Sequence, residues 1–86
     1  MEKFDYIRFT AKLLCEKGTT MVADDLAEEL NKRNYTTDRG DEFVGGIGIY
    51  KLISSTYHRL TDNGEHDDAD EVARAFTKPD GNYAYD

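Results

Sequence analysis

Between Gly45 and Leu60 the chain carries Lys51, Ser54, Ser55, His58 and Arg59 within a segment whose apolar residues recur at helical spacing. Ile49, Leu52, Ile53, Tyr57 and Leu60 fall on one stripe of such a helix. Ile47, Lys51, Ser54 or Ser55, and His58 fall on the opposite stripe. An ammonium, two hydroxyls, an imidazole and a guanidinium can donate hydrogen bonds to an external surface. They do not form a nucleophile–base–acid set. The single thiol, Cys15, sits beside Leu14 among apolar residues, and His58 and His66 flank a turn with no partner for either at catalytic spacing. Nucleophilic catalysis therefore has no support.

The glycines that open the segment, Gly45, Gly46 and Gly48, superficially suggest a phosphate-cradling loop. The third glycine of a dinucleotide fingerprint is missing, as are the Gly-Lys-Ser/Thr ending of a nucleotide-binding loop and a clear preceding strand. Close helix approach, or freedom at the entry to the helix, accounts for them better. The run "DNGEHDDADE" at 62–71 lacks the alternating oxygen ligands and the glycine register of a calcium loop. His66 and Asp70 make a helical pair, but two ligands are too few for a zinc-type site. No cofactor motif and no metal set is expected.

Charge is the second source of chemistry. The net charge of −7 is unevenly spread. Residues 24–42 sum to −4 and residues 62–71 to −6, whereas 43–61 hold Lys51 and Arg59 and no acid. Two acidic clusters therefore flank a cationic segment. The clusters are Asp24, Asp25, Glu28 and Glu29, and then Asp62, Glu65, Asp67, Asp68, Asp70 and Glu71. They could meet a basic protein, or imitate the spaced phosphates of DNA as small phage-type or mobile-element inhibitors do. They could equally serve solubility.

The elements that must position these residues are legible in outline. With 86 residues there is room for one domain over 1–86 and one modest core. A chain of this size buries only about 60–65% of the surface its unfolded form exposes. A core so small gains from a partner, so self-association through the first helix or the C-terminal hairpin edge is an expectation. Phe4, Ile7, Ala11 and Leu14 predict a first helix over 3–17, ended by Gly18. "TTM" at 19–21 suits a short strand. "VADDLAEELNKR" predicts a second helix over 22–33, with Asn34 as its left-handed terminator. A polar connection turns at Arg39-Gly40, and Asp41 is placed to cap a third helix over about 43–61. "DADEVARAF" reads as a short fourth helix to about Arg74, or alternatively as a strand through Val72, Arg74 and Phe76. "AFTKPDGNYAYD", with Pro79 followed by Asp80-Gly81, predicts a C-terminal β-hairpin over 75–86. One cysteine, no apolar leader and no membrane-length apolar run fit a reducing, cytoplasmic compartment.

In this order, "TTMVADDLAEELNKRNYTT", "GIYKLISSTYHRL" and "FTKPDGNYAYD" resemble the strand and second helix, the recognition helix and the wing of winged-helix (winged helix-turn-helix) domains. The likeness spans nearly the whole chain but rests on patterning. It implies an α+β fold with three main helices, and a non-enzymatic, DNA-binding transcriptional regulator acting through helix 43–61 and hairpin 75–86. It also implies roles. Lys51, Ser54 and Ser55 would reach base edges. His58, Arg59 and Lys78 would contact phosphate, with backbone amides near Gly45, Gly46 and Gly48 approaching it closely. The 62–71 segment and the cation-poor turn at Pro79–Asn82 depart from that pattern.

Overall fold

A computed structural model describes residues 1–43 and 47–84, without the Ile47 side chain. The first helix, α1, spans Lys3–Lys17. Gly18 ends it with φ 68°, and the amides of Gly18 and Thr19 reach back to the carbonyls of Cys15 and Leu14. Only a residue free of Cβ strain takes that conformation cheaply. A two-residue strand β1, Met21–Val22, leads into α2, Ala23–Lys32. Acids open α2 and a lysine closes it, matching the helix dipole. Asn34, at φ 64°, is the left-handed terminator that its position suggested.

The third helix, α3, spans Ile47–Asp62, so Phe43 is not part of it. Phe43 is instead a buried core residue of the connection. Asp41 is therefore too far ahead to cap α3; its carbonyl and amide close a turn with Thr37, which places Gly40 at φ 86°. A fourth helix, α4, spans His66–Ala75, which removes the strand alternative for that stretch. Ala69 and Ala73 keep its inner face low, and Val72 fills the space beneath. This shape lets α4 pack against both α1 and α3.

The sheet differs from expectation. Strand β2, Phe76–Thr77, continues directly from α4 and pairs with β1 in parallel, Met21 opposite Phe76 and Val22 opposite Thr77. The predicted antiparallel hairpin over 75–86 is not the pairing unit. Because α4 runs to Ala75, only two residues remain extended, and Phe76 is anchored in the core with no exposed surface. The chain does turn at Gly81, φ 92°, where the Lys78 N–H donates to the Asn82 carbonyl; beyond it come one isolated antiparallel bridge, Thr77 to Tyr83, and a bond from the Ala84 N–H to the Phe76 carbonyl. Tyr85 lies outside them. Among the described residues the result is an α+β domain of four helices and a two-stranded parallel sheet.

One core joins these elements. Ile7, Leu26, Leu30, Ile49, Ile53, Val72 and Phe76 are fully buried within it. Truncating any one to alanine is expected to cost about 2–5 kcal/mol. Among the described residues no helix is long and apolar enough to cross a membrane.

Candidate functional site

The inner side of α3 is formed by Ile49, Leu52, Ile53, Thr56 and Leu60, all buried. Thr56 joins this inner side, while Tyr57, which sequence spacing places inward, packs against the core from its edge. Tyr57 is half-buried at the rim, its ring 5.4 Å from that of His58. The Thr56 hydroxyl donates to the Leu52 carbonyl at 2.7 Å, so its polar atom is satisfied within the helix and its methyl can face the core.

At about 100° per residue, Gly48, Lys51, Ser55, His58 and Arg59 share the outer face of α3, and all five are exposed. Ser54 turns toward the flank and is half-buried. Gly46 lies outside the described residues. Lys78, half-buried, reaches α3 on the same flank as Ser54, its ammonium 5.8 Å from the ring centre of Tyr50. Arg59 lies over Phe4 of α1, with its guanidinium carbon 4.5 Å from the ring centre. Both contacts hold a cation against an aromatic face without neutralising it. Lys51, Arg59 and Lys78 enter no ion pair among the described residues.

Beside this face runs a groove of about 450 Å³ that sequence spacing did not reveal. Gly48, Lys51, Leu52 and Ser55 form one wall, and the 37–43 connection forms the other. Lys3 and Phe4 lie at the base and continue into a second cavity that reaches Arg59. The groove's cations are Lys3, Arg39 and Lys51, and its anions are Asp38, Asp41 and Glu42. Lys3 is already bound to Asp38 at 2.9 Å. With Lys51 included the groove is electrically balanced, which leaves Arg59 on α3 and Lys78 beside it as the nearby cations outside that balance. Two bonds set the far wall. The Asn31 amide donates to the Phe43 carbonyl at 2.6 Å and accepts from the Phe43 N–H at 2.7 Å.

The acidic candidates divide into two kinds. On α2, Asp24, Asp25 and Glu28 are exposed and enter no ion pair among the described residues, while Glu29 meets Lys32 at 3.6 Å. The 62–71 cluster is partly consumed inside the fold. Arg8 of α1 holds Glu65 at 2.7 Å and Asp68 at 2.5 Å; Lys12 lies 3.9 Å from Asp68, and Arg74 binds Asp70. Burial works to lower the Arg8 pKa, but Asp68 and Glu65 together raise it. Asp62 and Asp67 stay exposed. Glu71 is half-buried, and its pKa is raised by burial first and then by neighbouring Asp68, against the pull of Lys12. The acidic segment thus clamps α4 to α1, and it leaves the outer face of α3 uncovered.

Cys15 is half-buried, with its thiol 3.6 Å from the Glu71 carbonyl and its pKa raised, mainly by burial. That opposes formation of the nucleophilic thiolate. Among the described residues no three His, Cys, Asp or Glu side chains converge on a metal-sized space.

No family model, curated protein or solved structure matches this chain.

Proposed function

We propose that the chain is a non-enzymatic, winged-helix-like binding domain that holds duplex DNA against the outer face of α3, as a small transcriptional regulator does. The observation that carries this reading is the state of the cations. Lys51 and Arg59 on α3, with Lys78 beside it, enter no ion pair among the described residues, whereas Arg8, Lys12 and Arg74 are engaged by the acidic segment. Ser55, exposed between Lys51 and Arg59, has the chemistry for a base edge or a phosphate oxygen. The element order helix–strand–helix–helix supports the winged-helix likeness. The parallel strand pairing and a fourteen-residue connection between α2 and α3 set this domain apart from a tight helix-turn-helix, whose turn takes about 3–4 residues.

A salt titration of duplex binding, followed by fluorescence anisotropy, tests the reading. Three phosphate contacts imply a slope of log K against log salt near −2.7, at about −0.9 per contact. Arg59→Ala, which removes a phosphate contact, is expected to reduce that slope by about one. Absence of binding at low salt would overturn the reading. In that event the exposed, unpaired Asp24, Asp25 and Glu28 favour the second one, an acidic module that binds a basic protein or mimics DNA.

A further inference from the structure

A row of four exposed residues on α1 takes no part in the fold or in the proposed DNA contact. Asp5, Phe9, Leu13 and Lys17 follow one another at four-residue steps. Such a row forms a continuous ridge along a helix surface, here about 18 Å long at 1.5 Å per residue. Phe9 is 51% exposed and Leu13 38%, and neither belongs to the core cluster or to the side chains packed against it. Asp5 and Lys17 enter no ion pair among the described residues, although Asp5 borders a small cavity that Arg8 and Arg59 line.

The order of the row is self-complementary. Reversed and laid against itself, it sets Asp5 opposite Lys17, Phe9 opposite Leu13, Leu13 opposite Phe9 and Lys17 opposite Asp5. A two-fold axis between Phe9 and Leu13 generates both ion pairs and both apolar contacts from one feature, which is the property an isologous interface requires. A parallel arrangement would oppose like charges at each end. Antiparallel packing also brings the N-terminal end of each helix beside the C-terminal end of the other, so their dipoles oppose. The two ridges lie side by side when the helices cross near −50°.

We propose that this ridge is the contact of a homodimer, with a second copy of the chain as its occupant in antiparallel orientation. The exposed parts of Phe9 and Leu13 from both copies amount to roughly 350 Å². That is far below the ~1,200 Å² of the smallest standard interfaces, so the dimer is weak and forms at high protein concentration. The ridge nears the proposed DNA-contact face only at Asp5, whose cavity Arg59 also lines, and the test contains no nucleic acid, so either idea can fail alone.

Sedimentation equilibrium of the full chain up to about 1 mM reads the association directly, because dissociation constants up to that value remain measurable. Wild type is expected to dimerise, and a monomer throughout that range overturns the proposal. Asp5→Lys and Lys17→Asp each place like charges opposite one another at both ends of the ridge, and each is expected to weaken association about tenfold or more. The double variant, with both exchanges, restores opposite charges and is expected to return within about threefold of wild type. Failure of that rescue overturns the antiparallel pairing. Phe9→Ser leaves the end charges in place and is expected to give a monomer; a dimer of unchanged strength overturns the proposal independently.

Discussion

The Asn31 side chain gives the sharpest structural prediction, because it ties the backbone of Phe43 in the α2–α3 connection to α2. Its amide makes two hydrogen bonds to the backbone of Phe43, at 2.6 and 2.7 Å, much as a neighbouring strand would. Phe43 is only 4% exposed, so its ring is fixed in the core while its backbone depends on that amide. Asn31→Ala removes both bonds. Each has a net value of about 0.5–1.5 kcal/mol, and each backbone group left short of water costs a further part of about 1–3 kcal/mol. Alanine returns about 0.6 kcal/mol through its higher helix propensity. The balance is a loss of about 2 kcal/mol. For a domain of this size that lowers Tm by roughly 8–16 °C. Thermal and urea unfolding followed by circular dichroism measure it. Asn31→Asp keeps the acceptor but turns a carboxylate oxygen toward the Phe43 carbonyl, so it is expected to lose at least as much. A change below about 0.5 kcal/mol for Asn31→Ala would refute the reasoning, because the pair of bonds would then be no better than bonds to water.

Two further perturbations test the acidic segment. Arg8→Met removes the cation shared by Glu65 and Asp68; its side chain is 39% exposed, so screening limits the expected loss to about 1 kcal/mol. That loss should shrink in 1 M salt, where the screening length falls to about 3 Å, and a salt-independent loss would count against an electrostatic clamp. Glu71→Gln is expected to stabilise the fold at neutral pH. The folded state raises the Glu71 pKa, so it binds the proton more tightly than the unfolded chain, and stability falls as pH rises from 4.5 through the raised value. Below 4.5 both states are protonated and the advantage of glutamine disappears. A glutamine variant less stable than wild type at neutral pH would contradict that sign.

Local chemistry made the helices legible. Gly18 and Asn34 mark the ends of α1 and α2 because left-handed backbone is costly for most other residues. The outer face of α3 was equally readable, since Lys51, Ser55 and His58 interrupt no apolar periodicity. Three features were not. Thr56 looks polar, and only its bond to the Leu52 carbonyl allows it into the core. Phe43 reads as the start of α3 because, in a sequence, an aromatic at a helix entrance looks the same as one pinned by a distant amide. The parallel pairing of β1 with β2 joins residues more than fifty positions apart, and nothing in the Pro79–Asn82 turn announces it. The groove was hidden for the same reason, because its walls come from α1, the connection and α3. The acid run at 62–71 suggested a solvated insert or a partner surface; the pairing of Glu65 and Asp68 with Arg8 shows that half its purpose is internal.

The most direct test of the central claim is a residue-by-residue footprint of bound DNA. In an amide correlation spectrum of the labelled chain, titrated with a short duplex at low salt, the account predicts shifts concentrated at Gly48, Lys51, Ser55, His58, Arg59 and Lys78, with Asp24, Asp25 and Glu28 unmoved. Shifts centred on those acids, or a spectrum unchanged at saturating duplex, would contradict it.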